Sequence, residues 1–467
     1  MTAIVWFRRD LRVRDHPALR RALSAHDAVL PVFCLDDRLL RGRHASGPRA
    51  RFMAEALGDL DRSLRERGSR LIVRREAPET ALPALAREVG ATAVYAGEDV
   101  GPFARARDRR VAEALELVLC PGLAAVDDLG AIRTGSGGPY TVFTPFHKSW
   151  ERVARRAVLA APRAIESPRV DEPGVVPAPA DLGGGVPEPL PGGETEGRQR
   201  LRNFLRGPIE RYRDDHDVLG DDASSRLSPY LHFGCVSARE VEERLPAGRG
   251  AEAFRRQLAW RDFHHHVLLG FPRNAVEEMQ ERYRHRLDWS DDEGCFDAWC
   301  EGRTGYPLVD AGMRQLLREG WMHNRARLVV ASFLTKDLGI DWRLGERWFM
   351  RMLLDGDEAN NNGNWQWIAS VGADPAPHYR RLYNPTRQME TLDPRGAYVR
   401  RYVPELRGVP DEYLREPWTM PAELQRECGC AIGTDYPAPI VDHREAREEA
   451  LARYRAAAGA RADTSRL

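Results

Sequence analysis

The densest group of chemically useful side chains in this sequence is residues 355–367, DGDEANNNGNWQW. Asp, Asn and Gly disfavour a helix interior, because Asp and Asn side chains compete for backbone hydrogen bonds and glycine loses the most entropy on ordering. We therefore predict a shaped polar loop that leads into two tryptophans. Such a loop could line a pocket for a flat cofactor with polar edges. It could also be a surface turn before an amphipathic helix, and both interpretations fit these residues alone.

Two further stretches carry groups that can bind an anion or bury a charge. Residues 224–229, SSRLSP, offer three hydroxyls and a guanidinium just before a helix whose first turn is set by proline. This setting suits a pyrophosphate, but it also suits an ordinary helix cap. Asn324 and Arg327 lie at positions i and i+3 of a predicted helix. Because residues 328–330 are apolar, burying Arg327 alone would be costly, and we predict an acidic partner for it.

Residues 355–367 and five other motifs stand in an order and spacing that resemble the DNA photolyase and cryptochrome family, most closely the bacterial class I cyclobutane pyrimidine dimer photolyases. The five motifs are SSRLSPYLHFG (224–234), QLAWRDF (257–263), GRTGYPLVDAGMRQL (302–316), WMHNRARLVVASFLTKDLGIDW (321–342) and YNPTRQ (383–388). The resemblance covers residues 2 to about 418. It implies a monomeric enzyme that repairs cyclobutane pyrimidine dimers in UV-damaged DNA by light-driven electron transfer from reduced FAD.

The resemblance also implies how the cofactor is held. Arg327 would pair with Asp355 against the isoalloxazine ring, while Asp357 and Asn361 would border the ring edge, with Asn361 facing N5. An amide at N5 can form a hydrogen bond but supplies no negative charge, which suits a reduced flavin. The other implied cofactor contacts are Tyr212, Ser224, Ser225, Arg226, Leu227 and Ser228 at the phosphates, together with Gly356.

Tryptophans and polar residues at matching positions imply an electron route and a DNA contact. Trp289, Trp342 and Trp365 match the electron-hopping chain of the family. Indoles are oxidisable enough to relay electrons, although with 11 tryptophans in the chain any one of them could simply fill a core. Family members flip their target out of the duplex, and Trp367 would stack on the lesion. The implied DNA contacts are Gln257, Trp260, Arg261, His264, Asn324, Arg325, Trp367 and Gln388.

Two positions bear on which lesion is recognised. Four of the implied DNA contacts have the i, i+3, i+4, i+7 spacing of one helical face: Gln257, Trp260, Arg261 and His264. Dimer-repair relatives carry Glu where this chain has Gln257, whereas (6-4) photolyases and many cryptochromes carry Gln. Asn324, in contrast, is the dimer-repair residue where (6-4) enzymes have a second His. A (6-4) photolyase and a light-sensing cryptochrome without repair therefore stand as alternatives.

A basic, aromatic-rich stretch is a candidate surface for DNA. Residues 378–401 carry six arginines against two acidic residues, a net charge of +4, interleaved with tyrosines. Basic and aromatic side chains together suit phosphate contacts and base stacking, although a solvated charged surface would have the same composition. The formal net charge of the whole chain is zero. A DNA site must therefore be a local patch.

The elements that position these groups fall into two classes. Residues 1–128 alternate short apolar runs with longer amphipathic stretches, which predicts a Rossmann-like parallel sheet with right-handed crossovers. The predicted strands are 3–7, 28–35, 70–74, 91–96 and 117–120, and the predicted helices lie near 17–25, 50–67, 79–89 and 103–115. No GxGxxG follows the first strand, so we do not expect a dinucleotide at the usual turn.

We predict an α/β plus all-α fold in three parts. These are an antenna-binding sheet domain at 1–128, a long interdomain linker at 129–196 and an all-helical FAD-binding domain at 197–467. Residues 162–197 are rich in Pro and Gly and poor in large apolar side chains, a composition that cannot bury a core. We further predict one exposed helix at 443–458 and a frayed end at 459–467.

Composition sets the expected cellular context. No apolar run approaches the ~20 residues of a membrane helix, and Met1 leads directly into the first predicted strand. The seven cysteines are scattered without a CxxC pair. We therefore expect a cytoplasmic protein in a reducing compartment, without a metal site.

The first domain of family members carries a light-harvesting antenna, which is either 8-hydroxydeazaflavin or a reduced folate such as methenyltetrahydrofolate. The sequence GEDVGPFARARD at 97–108 looks more like the deazaflavin-type members. Asp99 is therefore a candidate antenna contact. Glu98 and Asp99 could equally cap the helix that follows, and the identity of the antenna stays open.

Overall fold

The computed structural model describes residues 1–221, 223–374 and 382–459. Its N-terminal body contains a parallel sheet of five strands within the described residues, in the order β3-β2-β1-β4-β5. The strands are β1 (Thr2–Phe7), β2 (Ala28–Cys34), β3 (Ile72–Arg74), β4 (Ala91–Gly97) and β5 (Leu117–Cys120). The helices are α1 (Pro17–Ala25), α2 (Asp37–Leu40), α3 (Gly47–Arg65), α4 (Pro78–Val89) and α5 (Pro102–Ala112). These elements confirm the predicted sheet domain.

The central strand β1 shows why the apolar runs of the sequence predicted the strands. β1 is apolar from Ala3 to Phe7 and buried along that length, because helices cover both faces of the parallel sheet. The chain moves outward from β1 to β2 and β3, then crosses to β4 on the other side of β1. The loops after β1 and β4 therefore meet where the strand order reverses. The loop after β1, residues 8–16, faces the helical body.

Beyond the sheet domain, the regular elements of the described chain are helices. α6 (Phe143–Arg152) precedes the irregular stretch before residue 194. The helices that follow are α7 (Glu194–Leu205), α8 (Pro208–Asp215), α9 (Ser228–His232), α10 (Ala238–Glu243), α11 (Arg249–Gly270), α12 (Glu293–Glu301), α13 (Pro307–Glu319), α14 (Asn324–Ser332), α15 (Trp342–Met352), α16 (Glu358–Ile368), α17 (Pro385–Leu392), α18 (Ala397–Tyr402), α19 (Ala422–Cys428) and α20 (His443–Gly459). No helix in the described ranges is both long enough and apolar enough to span a membrane.

The stretch predicted as a linker, residues 129–196, contains α6, which the sequence analysis did not anticipate. Three of its side chains are buried, and all three contact α11. Between ring centroids, Phe143 lies 3.7 Å from Trp260 and Phe146 lies 5.2 Å from Phe263, while Trp150 Nε1 donates to Asp262 at 2.9 Å. Between α6 and α7, which begins at Glu194, the described linker residues contain only one short 3-10 turn, Pro179–Asp181, as the composition of 162–197 indicated. The domain boundaries themselves stay a prediction.

Two local predictions were wrong. Residues 355–367 are not a loop throughout, because α16 begins at Glu358. Asp357 caps this helix by accepting a hydrogen bond from the Asn360 backbone N–H at 2.8 Å, which offsets the poor helix propensity of the asparagines. The C-terminal helix α20 was predicted to be exposed, yet it buries a stripe that includes Ala450 and Tyr454. Of the predicted frayed end at 459–467, Gly459 is the last residue of α20, and residues 460–467 lie outside the described chain.

The loop after β1 joins the two bodies. Arg12 donates to the carbonyl of Gly234 at 2.8 Å, and the Leu11 backbone N–H donates to the carbonyl of Phe233 at 3.1 Å. Gly234 has φ 63°, and a Cβ there would lie 2.0 Å from the carbonyl oxygen of Arg9. Only glycine allows this approach. The sheet domain is therefore held against the end of α9, next to the predicted cofactor segment.

Candidate functional site

A cavity of about 600 Å³ opens within the helical body. Its walls come from α8, the segment before α9, α11, the start of α14 and α16. The predicted residues that line it are Tyr212, Ser224, Ser225, Arg226, Leu227, Ser228, Gln257, Trp260, Arg261, His264, Asn324, Arg325, Arg327, Asp355, Asp357, Asn361, Trp365 and Trp367. Of the predicted site residues, Gly356, Trp289, Trp342 and Gln388 do not line it. Residues far apart in sequence thus converge on one volume.

Serine hydroxyls gather at one end of the cavity, before α9. The Oγ of Ser224 is buried and has no hydrogen-bond partner within the described residues. A buried hydroxyl without a partner is costly, so this orphan atom fits a phosphate oxygen. Ser225 accepts from the Leu227 backbone at 3.3 Å, and Ser228 accepts from the indole of Trp321 at 3.3 Å.

Arg226 is held differently from its neighbours. Its φ is 49°, an uncommon value for a residue other than glycine. The guanidinium donates to Glu319 at 2.8 Å and lies over the ring of Trp321, 4.4 Å from the ring centroid. Arg226 therefore reaches the cavity while one of its donors is committed to a carboxylate. Its contact with a phosphate stays a prediction.

The acidic partner predicted for Arg327 is present. Nη1 of Arg327 donates to Oδ1 of Asp355 at 3.1 Å, and Nη2 donates to Oδ2 at 2.8 Å. The Nε of Arg327 donates to the carbonyl of Met322 at 2.8 Å. The Asp355 side chain is only 4% exposed, so the pair is bidentate and largely desolvated on the acid side. This confirms the ion pair, while its contact with a flavin stays a prediction.

Asn361 is oriented by α15. Its amide nitrogen donates to the backbone and side-chain oxygens of Glu346, at 3.0 and 3.1 Å. The carbonyl oxygen of Asn361 is then the group left for the cavity, and it can accept a hydrogen bond. Gly356 has a different role: a Cβ there would lie 2.3 Å from Arg49, whose guanidinium enters from α3.

Asp357 lies at the end of the cavity nearest the sheet domain. The loop after β1 brings Arg9 into a salt bridge with its carboxylate, and His265 of α11 lies 3.4 Å from it. His232, at the end of α9, is 3.8 Å away. Burial disfavours the carboxylate, but Arg9, His265 and His232 outweigh burial and hold the pKa of Asp357 well below its ordinary value. Asp357 is therefore ionised at neutral pH.

Aromatic side chains wall the other side of the cavity. Trp260 and Trp367 both line it, from α11 and α16, and His264 lies one turn after Trp260 with ring centroids 5.9 Å apart. A Cβ at Gly363 would be 2.2 Å from His264, so this glycine lets α16 pack closely on α11. Burial, with a smaller effect of the neighbouring His265, lowers the pKa of His264 to about 4. The imidazole is thus neutral at pH 7.

The predicted helical face of α11 is confirmed, since Gln257, Trp260, Arg261 and His264 all reach the cavity. Arg261 is occupied by the protein, however: it donates to the carbonyls of Leu123 and Leu231 at 2.8 and 3.3 Å. These contacts fix the end of α9 against α11. A DNA contact for Arg261 stays a prediction.

At the start of α14, Asn324 lines the cavity and Arg325 forms an ion pair with Asp217, in which both side chains are 34% exposed. Gln388 lies on α17, outside the cavity wall. Its place at the DNA stays a prediction. The basic stretch 378–401 lies partly outside the described residues, which exclude 375–381.

The three tryptophans of the predicted electron route differ in burial. Trp365 is 2% exposed and lines the cavity, Trp342 is 1% exposed and lies in the same apolar core, and Trp289 is half-buried at the edge of that core. The ring neighbours of Trp365 were not predicted. They are Phe349 at 5.0 Å and Trp299 at 6.2 Å between ring centroids. The relay itself stays a prediction.

Sequence reasoning missed Arg9, His232, His265 and Trp299. His232 and His265 lie beside Asp357 within the helical body, and Arg9 joins them only because the sheet domain docks on α9 and α11. No local spacing connects the three. The two adjacent arginines after β1 were a weak signal. At the candidate antenna position, the Oδ1 of Asp99 accepts from the Gly101 N–H at 3.0 Å, next to the start of α5. The helix itself begins after Gly101 without a side-chain cap, so the capping interpretation was wrong, and the antenna role of Asp99 stays a prediction.

Comparisons with known proteins agree with this geometry. A family model described as DNA photolyase matches residues 3–167, and one described as the FAD binding domain of DNA photolyase matches residues 254–456. The deoxyribodipyrimidine photo-lyase of Streptomyces griseus is 45% identical over 455 residues, which cover 95% of this chain and 97% of that relative.

Two solved structures resemble the fold closely. A class III photolyase from Agrobacterium tumefaciens has a TM-score of 0.88 at 35% identity, covering 98% of this chain and 97% of its own. The cryptochrome of Synechocystis sp. PCC6803 also has a TM-score of 0.88, at 31% identity, covering 97% of this chain and 98% of its own. Overall shape alone therefore does not separate repair from light sensing.

Proposed function

The chain belongs to the DNA photolyase and cryptochrome family, and on that premise we propose that it is a deoxyribodipyrimidine photo-lyase, which splits cyclobutane pyrimidine dimers in DNA. Its cofactor is FAD, which in the reduced state supplies the electron that light drives into the dimer. The protein positions and insulates the reacting groups. Relatives named deoxyribodipyrimidine photo-lyase align along nearly the whole chain, which favours dimer repair over the alternatives.

One observation carries the proposal: a charged pair and an aromatic wall share a single cavity. Arg327 and Asp355 supply a desolvated ion pair suited to the polar edge of a flavin, and Ser224 supplies an orphan hydroxyl suited to a phosphate oxygen. Trp260 and Trp367 offer flat apolar surfaces within the same volume. A dimer flipped into this cavity would lie beside the cofactor, which shortens the distance for electron transfer.

The side chains that we expect to contact the lesion contribute to recognition in different ways. Trp260 and Trp367 would stack on the flipped pyrimidines, which needs no particular base sequence. Gln257 and Asn324 offer amide groups that can donate to carbonyl oxygens of the bases. His264 is neutral at pH 7 and adds no charge beside them. Neither the stacking nor the amide contacts can form while the bases are stacked in the duplex. They can distinguish a dimer from undamaged bases only after the dimer has flipped into the cavity.

The decisive experiment uses purified holoenzyme with reduced FAD, blue light and two oligonucleotides, each with one lesion. One oligonucleotide carries a cyclobutane dimer and the other a (6-4) photoproduct, and a dark reaction serves as control. We expect light-dependent restoration of the cyclobutane dimer alone. Repair of the (6-4) product alone would identify a (6-4) photolyase, the alternative that Gln257 favours. Light absorption without repair of either lesion would identify a cryptochrome.

Trp367 provides a test of the lesion-binding face. We expect Trp367→Ala to weaken binding to dimer-containing duplex by about 1 to 3 kcal/mol, the value of one lost stacking platform, which is roughly 5- to 150-fold in Kd. Binding to undamaged duplex should change little, because the unflipped bases do not reach the cavity. Fluorescence anisotropy in the dark, with both duplexes at one salt concentration, measures the ratio. If affinity for both duplexes falls equally, Trp367 does not contact the lesion.

Gln257 tests how the cavity stabilises charge on the substrate. Both a glutamine amide and a protonated carboxyl can donate a hydrogen bond to the electron-rich dimer, but the carboxyl is the stronger donor. We expect Gln257→Glu to raise the repair yield per absorbed photon and to introduce a new pH dependence. The isosteric Gln257→Met, which cannot donate, should lower the yield.

These yields are compared on one dimer oligonucleotide across pH 6 to 9, with fully reduced FAD and no second chromophore. An order of Glu above Gln above Met supports hydrogen-bond donation from this position. A Glu variant with a lower yield than the native protein would show that Gln257 does not act as a donor to the dimer.

The oligomeric state, the compartment and the photolyase class belong to the same proposal. We propose that it acts on damaged DNA as a monomer in the cytoplasm, and that its reaction class is that of the class I dimer photolyases. Light scattering coupled to size-exclusion chromatography, with and without a dimer-containing duplex, measures the oligomeric state. A mass of two protomers on one lesion would overturn the monomer.

A further inference from the structure

A charge cluster crosses the boundary between the sheet domain and the helical body, beside the cavity. Arg9, in the loop after β1, sends its guanidinium to the carboxylate of Asp357. The same side chain donates from Nε to the carbonyl of His232 at 3.2 Å and lies 3.5 Å from the carboxylate of Asp99. Arg9 is thus held by three acceptors from three separate segments, and its side chain is only 26% exposed.

Asp357 links this cluster to the helix that forms the cavity wall. It lines the cavity, and it also caps α16 by accepting from the backbone N–H and the side-chain amide of Asn360, at 2.8 and 2.7 Å. α16 carries Asn361 and Trp365 on its cavity side. A group that holds Asp357 therefore also holds the start of the helix that presents these two side chains.

The charges around Asp357 come from every element packed against it. Arg9, His232 and His265 are the direct partners. At longer range the charged or titratable neighbours are Arg49 of α3, Arg261 and His264 of α11, and Glu358 of α16. Burial and the carboxylates of Asp99 and Asp357 raise the pKa of Glu358 to about 7. Among these groups, Arg9 is the cation in direct contact with Asp357 that stays charged at every working pH.

We propose that Arg9 is a positioning residue for the cofactor site, a cation that the sheet domain extends to Asp357 in order to neutralise and orient this carboxylate at the edge of the cavity. This deepens the proposed function and rests on it, because Asp357 matters to the cofactor only if a flavin occupies the cavity. The sheet domain then contributes to the redox properties of the site in the helical body.

The electrostatic consequence follows from the sign of the charges. With Arg9 in place, the Asp357 carboxylate and the guanidinium largely cancel at the cavity edge. Without it, a buried carboxylate faces the cofactor, and a negative charge opposes the gain of electrons by a neighbouring group. Replacing Arg9 by a neutral residue should therefore weaken binding of reduced FAD more than binding of oxidised FAD, and the midpoint potential should become more negative.

The proton equilibrium supplies a second signature. In the native protein Asp357 does not titrate near neutrality, because Arg9 and the histidines hold its pKa low. Loss of Arg9 removes the largest of the interactions that lower the pKa of Asp357, so burial then raises that pKa. Below the new pKa the carboxyl becomes neutral and the potential returns toward the native value. The potential of the variant should therefore depend more steeply on pH than that of the native protein, in which Glu358 already titrates near pH 7.

The test compares Arg9→Gln and Arg9→Lys with Arg14→Gln in FAD-loaded protein. Arg14 is a matched control, because it lies in the same loop but pairs with Glu240 at 3.1 Å, away from the cavity. The midpoint potential of bound FAD is measured by equilibrium redox titration at pH 5 to 9, and thermal unfolding is followed in parallel. Native protein is first checked for FAD and for dimer repair.

For Arg9→Gln we expect the ratio of oxidised to reduced FAD dissociation constants to fall about tenfold or more at pH 8, with partial recovery at pH 5. Arg9→Lys, which keeps the charge but not the forked geometry, should lie between Arg9→Gln and native protein. Arg14→Gln should match native protein. A purely structural role would lower thermal stability in Arg9→Gln and leave the potential and its pH profile native, which would overturn the inference.

The inference and the proposed function fail in different ways. Native protein without FAD or without repair would refute the function. If native protein repairs dimers but the Arg9→Lys, Arg9→Gln and Arg14→Gln variants all have the same midpoint potential, the role of Arg9 is refuted and the proposed function stands. If Arg9→Gln does not fold, the potential of Arg9→Lys is compared with that of native protein. Lysine keeps the charge, but it has a single nitrogen in place of the three guanidinium nitrogens that contact His232, Asp99 and Asp357.

Discussion

Arg327→Ala should be purified almost free of FAD. Asp355 is nearly inaccessible to solvent and both of its oxygens accept from Arg327. Removing the guanidinium leaves a buried carboxylate without its partner, a loss of about 3 to 5 kcal/mol in comparable pairs, or roughly 10²- to 10⁴-fold in affinity if the loss falls on the bound state. Because the carboxylate faces the cavity, it would also repel an electron-rich flavin.

The measurement is the ratio of visible flavin absorbance to ultraviolet protein absorbance, followed by a titration of apo protein with FAD to obtain Kd. The matched control is Arg314→Ala. Arg314 also binds one carboxylate through two short contacts, to Glu405 at 2.7 and 2.8 Å, but far from the cavity. This control should keep its FAD, and it should lose less stability because the Glu405 side chain is 30% exposed. An Arg327→Ala protein that retains full FAD would show that the pair does not hold the cofactor.

Trp365→Phe should abolish the light-driven reduction of oxidised FAD while leaving repair by chemically reduced enzyme nearly intact. Trp365 is the predicted relay member that lines the cavity, and it is almost fully buried. A Cβ at Gly345 would lie 2.2 Å from its ring, so the indole rests directly on the backbone of α15. Phe fills most of this space but is much harder to oxidise, and the relay would lose its first member.

The experiment follows FAD absorbance under blue light with an external thiol as electron source, and it measures repair separately after chemical reduction. The matched control is Trp299→Phe, since this ring touches Trp365 at 6.2 Å but stands outside the predicted relay. We expect this control to photoreduce at the native rate. If Trp299→Phe is as inactive as Trp365→Phe, electrons reach Trp365 through Trp299. Native photoreduction in Trp365→Phe would require a route that bypasses Trp365.

The sheet domain could be predicted closely because its signals are local. The apolar runs of β1 and β4 are buried on both faces, and the amphipathic stretches between strands bury one face. Each element can therefore be recognised from the pattern of a few neighbouring residues. The partner of Arg327 was also predictable in kind. An arginine in an apolar helix needs an acid, and the resemblance to a known family pointed to Asp355.

Local propensity failed where tertiary contacts supply what the segment lacks. The asparagines at 360–362 read as a loop, yet the Asp357 cap and the bond from Asn361 to Glu346 stabilise them inside α16. Residues 129–196 were predicted as a linker, although only 162–197 have a linker-like composition, and Phe143 stacks on Trp260 and anchors α6 in the first part of this range. In both cases the stabilising partner is a residue whose position only the folded chain defines.

The sequence by itself determined the two-part architecture, the family and the side chains available for cofactor and lesion, because hydrophobic period, turn chemistry and motif order are written along the chain. The tertiary structure alone decided which of those side chains face one cavity. Arg9 and Asp357 are 348 residues apart, and Trp299 and Trp365 belong to different helices. Contacts of this range leave no periodic trace in a single sequence, since they depend on how the two bodies dock and how helices pack.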